Sequence, residues 1–398
     1  MRKFNWSLLA LLIAPLVFAL YYRHLGDFVT PLFDEKFYLN FFSRGRDLWK
    51  QGHPPLGVVV IEAGRGLFAN VSGGWRIFPL LAGSGGVALI YLLGLALGGP
   101  WVGILSALLL TFDPLYYLMS RLAMLDIFMT FCLLLFFWCY WKQWRWAGGL
   151  ALGLAMAFKW PAFFVLGGFL LWSLGEGIKA KERIGALGAR LFFGLILPLS
   201  FYWGILFLCM PGASLSSLWN FHREFFHHHW AVFPRQLRYS SRWWSWMIFP
   251  QGLPVNVISG ENFREVSFIN NPGLLWAGGL GLLYLAWRGV KKDLSGWWLP
   301  VWGFSWLYFP WALLKRAEYL FYLLPCLPML YLGAGFLLER LGKGKIGKIA
   351  VGLFLLFTVV SFIFLYPALN YLSQDWTLPW NWGLPKIFNL PFHPGGGK

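Results

Sequence analysis

Apolar residues fall in long blocks along this chain, and the polar residues gather between them. A hydrocarbon core about 30 Å thick takes roughly 20 apolar residues as a helix. Blocks near 6–22, 77–97, 101–118, 123–141, 147–159, 161–175, 190–210, 274–288, 296–312, 318–337 and 347–367 predict about eleven membrane-spanning helices, with a soft boundary at Lys159-Trp160-Pro161. Helix is the form expected, because lipid leaves exposed backbone without a partner. The first block lacks a small-x-small cleavage site and ends in aromatics, so it reads as an uncleaved helix. Two polar intervals break the series, 23–76 and 211–273, and a tail follows over 368–398. In the first interval, residues 34–50 and 56–69 read as interfacial helices separated by "GHPPLG", whose proline pair stops one helix and opens the next. The whole of 1–398 is expected to form one all-α polytopic unit.

Composition sharpens this. The hydrophobic share is 58% and the charged share 12%, against roughly 25% charged in soluble domains. Lys+Arg outnumber Asp+Glu by 33 to 16, which in a soluble protein would suggest nucleic acid. Here Arg2, Lys3, Lys142, Arg145, Lys179, Lys181, Arg183, Arg190, Arg288, Lys291, Lys292, Arg340, Lys343, Lys345 and Lys348 all fall in alternate loops. The positive-inside rule then puts the N-terminus inside and both long intervals outside. Cys132, Cys139, Cys209 and Cys326 show no CxxC pairing and read as structural thiols.

The outer helix ends carry the candidate chemistry. In "VTPLFDEKFYLN", 29–40, Asp34 and Glu35 stand side by side. At a helix start they would be an N-cap and a first-turn acid. At a site, one would be a general base taking a proton from an attacking hydroxyl. In "SRLAMLDIF", 120–128, Arg121 and Asp126 read as an interfacial pair, or Arg121 as a ligand for a lipid phosphate. Lys159 in "AMAFKWPAFF" either snorkels or adds a second phosphate ligand. "PWALLKRAEYLFYLLP", 310–325, repeats the situation with Lys315, Arg316, Glu318 and Tyr322. Three basic residues on different helices, Arg121, Lys159 and Arg316, opposite an acidic pair suggest an anion site beside a base. His53 reads as a solvated turn histidine. "FHREFFHHHW", 221–230, raises a metal site, but three consecutive histidines cannot all face one ion from a regular helix, so no metal is assigned. "YSSRWWSW", 239–246, reads as an interfacial tryptophan belt or as a surface for a sugar or lipid head.

Together these stretches resemble the protein O-mannosyltransferase family, within the polyprenyl-phosphate-sugar-dependent GT-C glycosyltransferases. "FDE" at 33–35, "HPPLG" at 53–57, "RIFPLLAGSGGVALIYLL" at 76–93, "LLLTFDPLYYLMSRLAMLDIFMTF" at 108–131, "GLALGLAMAFKW" at 149–160, "YSSRWWSW" at 239–246 and "NPGLLWAGGLGLLYL" at 271–285 run in family order over most of the chain. "HPPLG" with "SRLAMLD" is the specific part. The resemblance implies a GT-C fold of eleven spans and an extracytoplasmic active site in the plasma (inner) membrane. The donor would be a polyprenyl-phosphate sugar, usually mannose, and the acceptor a Ser/Thr hydroxyl of an exported protein. No cofactor is required. It implies Asp34 as base with Glu35 holding the acceptor, and Arg121, Lys159 and Arg316 on the leaving phosphate. His53, Asp126, Tyr239, Ser241, Trp244 and Tyr322 would lie near donor or acceptor.

The departures fall where acceptor and sugar would sit. Val58 stands for the family's Lys, and Phe37-Tyr38 for its usual His. Leu237, Arg238 and Trp243 replace His and two Pro of "HPYxSxPWxW", and the eukaryotic β-trefoil domain is missing. Competing expectations are transfer to lipid A or another glycolipid, a lipid-linked sugar transporter, which would typically need repeat symmetry and mid-membrane charge, and an inactive scaffold.

Overall fold

The computed structural model describes residues 5–27, 30–39, 52–230, 240–248, 250, 252–258, 264–291 and 296–370. In chain order the helices are α1 Ala10–Tyr22, α2 Glu35–Tyr38, α3 Leu56–Leu67, α4 Ile77–Gly98, α5 Pro100–Thr111, α6 Pro114–Ser120, α7 Leu125–Trp141, α8 Arg145–Phe158, α9 Ala162–Lys179, α10 Ile184–Leu191, α11 Leu197–Cys209, α12 Leu215–Trp230, α13 Pro272–Val290, α14 Trp298–Tyr308, α15 Leu327–Leu341 and α16 Lys345–Asn370. A π-helical turn, Phe192–Ile196, joins α10 to α11. Helix occupies every apolar block, though not always as one piece. Among the described residues, six helical stretches are long and apolar enough to cross a membrane: Trp6–Asp27, Gly74–Gly98, Ala162–Lys179, Ile184–Cys209, Leu320–Leu341 and Lys345–Asn370.

The block expected as one helix over 101–118 is broken. α5 and α6 meet at 70°. Pro114 has no N–H to continue the ladder and disfavours helix at the residue before it. Asp113 instead caps α6, accepting from Tyr116 N at 2.7 Å, and Tyr331 donates to its other oxygen. The expected interfacial helix 34–50 is described only as far as α2, since residues 40–51 lie outside the described set, while 56–69 appears as α3.

α4 packs on α1, α5 and α7, and α15 lies between α5 and α13. α13 and α15 approach so closely that a Cβ at Gly281 would lie 2.1 Å from the Gly333 carbonyl carbon, the small-residue contact that membrane helices use in place of a hydrophobic driving force. The second polar interval is not the plain loop it resembles. It holds α12 and an antiparallel hairpin, β1 Leu253–Ile258 with β2 Arg264–Phe268.

Two helices set the site's position. α7 runs away from Asp126, α8 returns from Arg145, and Lys159 follows α8 directly. Asp126 and Lys159 therefore meet at one end of the bundle, and the Lys142–Arg145 turn lies at the other, about 24 Å away at 1.5 Å per residue. Exposed Trp101, Trp144, Trp146 and Trp287 sit on helix ends at that far side, as an aromatic belt would.

Candidate active site

Glu35 organises the first motif. Its carboxylate is fully buried and accepts from Arg76 Nε at 2.8 Å and Nη2 at 2.6 Å, from Leu32 N at 2.8 Å and from Ala123 N at 2.7 Å. One side chain thus ties "FDE" to the start of α4 and to the "SRLAMLD" turn. "HPPLG" joins them through Gly57, where any Cβ would lie 2.2 Å from Leu125 Cδ2. Phe33, at φ 46°, takes a left-handed conformation that a bulky residue seldom adopts. Its ring is held edge-on by Phe268 and Phe321.

These contacts leave Asp34 pointing elsewhere. It occupies the N-cap position of α2, yet its side chain caps nothing and makes no hydrogen bond to the described residues. Burial, the largest influence, pushes its carboxyl up to about 6, with Lys159 pulling down and Asp126 pushing up. Those two form a buried ion pair, Lys159 Nζ to Asp126 Oδ2 at 2.6 Å. The Lys159 ammonium also lies 5.5 Å from the ring centre of Tyr322 and 5.6 Å from that of Phe321. Tyr38 is buried beside the same groups. Desolvation, then Asp34, Asp126 and Tyr322, hold its phenol well above the ordinary value, so it stays a proton donor.

Arg316 approaches from the loop before the Leu320–Leu341 stretch. Its Nη2 donates to Tyr322 OH at 3.2 Å and its Nη1 to His229 Nδ1. His229 Nε2 meets the Gly52 carbonyl. A guanidinium only donates and a carbonyl only accepts, so the ring is neutral with its proton on Nε2. His229 also packs against His53, Trp160 and Phe225. Trp160 contacts Trp311, which stacks on Tyr322 at 4.5 Å. Glu318 docks the neighbouring segment, accepting from Trp243 N at 2.7 Å through its carboxylate and from Ser241 N at 2.8 Å through its carbonyl.

Asp34, Asp126, Lys159, Tyr322 and Arg316 thus form one cluster, with His53 at its edge. Arg121 belongs to another: fully buried, it donates to the Tyr21 carbonyl and the Arg23 carbonyl, both at 2.8 Å, and to Asn370 Oδ1. Ser241 accepts from Trp246 Nε1 at 2.9 Å, Trp244 is half exposed, and Tyr239 lies outside the described residues. The histidines diverge: His222 bonds Tyr202 and the Leu218 carbonyl, and His227 is exposed. Among the described residues no three His, Cys, Asp or Glu side chains converge as a metal site. Sequence reasoning missed Arg76, Tyr38, His229, Trp160 and Trp311. For His229 a signal existed, since buried Leu218, Phe221, Phe225 and His229 lie on one face of α12.

A family model described as dolichyl-phosphate-mannose-protein mannosyltransferase matches residues 51–210. The polyprenol-phosphate-mannose–protein mannosyltransferase of Mycobacterium tuberculosis is 24% identical over 89% of this chain and 86% of its own length. That of Corynebacterium glutamicum is 23% identical over 95% and 93%. Among solved structures, the S. cerevisiae protein O-mannosyltransferase Pmt1-Pmt2 complex bound to the sugar donor matches with a TM-score of 0.80 at 15% identity, over 96% of this chain and 92% of that one. ArnT from Cupriavidus metallidurans, bound to undecaprenyl phosphate, matches at 0.57 and 14% identity, over 90% and 70%. The helical fold is the GT-C fold of these solved membrane proteins. Within that class, the chain is similar to the polyprenol-phosphate-mannose–protein mannosyltransferases over most of its length, and the matching family model spans residues 51–210.

Proposed function

We propose that this enzyme transfers mannose from a polyprenyl-phosphate carrier to a Ser or Thr hydroxyl of an exported protein, at the outer face of the plasma membrane. The relatives that share most of its length are named for that donor and for a protein acceptor. The observation that carries the reading is Asp34: a half-buried carboxylate with no hydrogen bond among the described residues, beside the Lys159–Asp126 pair.

In a single inverting step, Asp34 takes the acceptor hydroxyl proton. The hydroxyl oxygen bonds to the anomeric carbon while that carbon's bond to the phosphate oxygen breaks on the opposite face. The phosphate goes from a singly charged diester to a monoester with additional negative charge. Lys159 and Arg316 are the cations suited to meet that charge as it develops. Asp126 positions Lys159. Tyr38 and Tyr322 offer phenols to sugar hydroxyls, and Trp244 a ring for the acceptor. Glu35 supports Asp34 rather than the acceptor, and Arg121 secures the ends of α1 and α16 behind the cluster.

Membranes carrying the enzyme should be offered a panel of polyprenyl-phosphate sugars with a Ser/Thr peptide and a glycolipid acceptor. Mannosyl peptide with equimolar polyprenyl phosphate is the expected product. Transfer to glycolipid alone would move the protein to the lipid-acceptor reading.

A further inference from the structure

The far end of the bundle contains a pocket of about 250 Å³ between α7, α8, α9 and the π-helical turn. It lies away from the Asp34 cluster: Tyr140, on its wall, is fourteen residues along α7 from Asp126, about 21 Å. Glycines open it. Gly148, Gly149 and Gly194 line it without side chains, and the π turn of Phe192–Ile196 shifts the helix face beside it. Trp146, edge-on to Phe192 and Phe193, packs next to that turn.

Its polar groups come from separate elements. Arg190 is held by Glu182 at 2.5 and 2.7 Å and reaches Ser173 Oγ at 3.3 Å. Arg145, on the lining, is exposed; its side chain makes no hydrogen bond or ion pair within 4 Å among the described residues, though its charge reaches Glu182. Two guanidiniums, Arg145 and Arg190, face one carboxylate, Glu182, so the lining carries a net positive charge. Exposed Trp144 adjoins Arg145 in the chain, and exposed Leu171 and Ile184 lie on α9 and α10, which both contribute to the lining, an apolar surface at the depth of the belt. A hollow with an excess of cation and this apolar surface beside it matches a phosphate attached to acyl chains better than it matches a wholly soluble anion. The volume lies below that of pockets for drug-sized molecules, room for a head group with its chains outside.

We propose that this pocket binds the phosphodiester head group of an anionic phospholipid in the leaflet opposite the Asp34 cluster, with Arg145 as its principal ligand. The site is independent of the transfer chemistry. The full-length enzyme in detergent should gain thermal stability from phosphatidylglycerol and none from phosphatidylcholine, and should retain phosphatidylglycerol in native mass spectrometry. Arg145→Ala and Gly148→Leu, which fills the hollow where a Cβ meets only ordinary contact at 3.6 Å, should each reduce the retained lipid at least fivefold without changing sugar transfer in excess donor. Equal shifts with both lipids, retention unchanged in both variants, or a shift reproduced by inorganic phosphate alone would overturn the proposal.

Discussion

Glu35 grips Arg76 with both carboxylate oxygens, at 2.6 and 2.8 Å, and neither side chain reaches solvent. Two adjacent acids in one motif therefore have opposite situations: Glu35 is saturated by Arg76 and two backbone N–H groups, and the Asp34 side chain makes no hydrogen bond to the described residues.

Removing Glu35 leaves a buried guanidinium without its counter-charge. Glu35→Ala should cost about 3–5 kcal/mol of stability. Its loss of transfer should track loss of folded protein, seen as a lower melting temperature at every pH from 6 to 8.

Asp34→Asn should behave the other way. The folded state raises this carboxyl from 3.8 to about 6, so ionising it opposes folding. That penalty is absent below about 3.8, grows between the two values and is complete above about 6, where it reaches roughly 3 kcal/mol at 1.36 per unit. The variant should match wild type in stability at the acid end and exceed it at pH 7.5.

The pH–rate profile follows from the same group. Transfer needs the ionised base, so kcat/KM should fall with unit slope as pH drops through about 6. Lys159 lowers the Asp34 value and Asp126 raises it. Lys159→Met should move the limb to higher pH and Asp126→Asn to lower pH. A limb unmoved by both would separate Asp34 from the rate.

His229 aims Arg316 from the side away from Tyr322. His229→Ala should raise the donor KM about tenfold with a smaller effect on kcat, and should destabilise by about 1–3 kcal/mol through its two lost partners.

Much of this was legible where residues that act together are adjacent in sequence. The apolar blocks fixed where the helices fall, and "FDE", "HPPLG" and "SRLAMLD" pointed to one place because Glu35, Gly57, Ala123 and Leu125 join them. Arg76 was not legible: it lies 41 residues from Glu35, and a basic residue before an apolar block reads as an ordinary helix-end charge. The partners of Arg121 were not legible for the same reason, since its carbonyl partners, Tyr21 and Arg23, lie at the end of α1 and just after it, and its amide partner, Asn370, at the end of α16. The break at Asp113-Pro114 was written in the proline and concealed by unbroken hydrophobicity on both sides. The hairpin of 253–268 carries too short an alternation to stand out beside eleven apolar blocks.

The most direct test is single-turnover transfer from polyprenyl-phosphate-mannose by folded Asp34→Asn, measured with donor affinity on the same preparation. The account predicts a 10²–10⁴-fold slower chemical step with donor affinity changed less than threefold, because Lys159 and Arg316 remain in place. Transfer at the wild-type rate would contradict it and leave the Asp34 carboxylate without a part in the reaction.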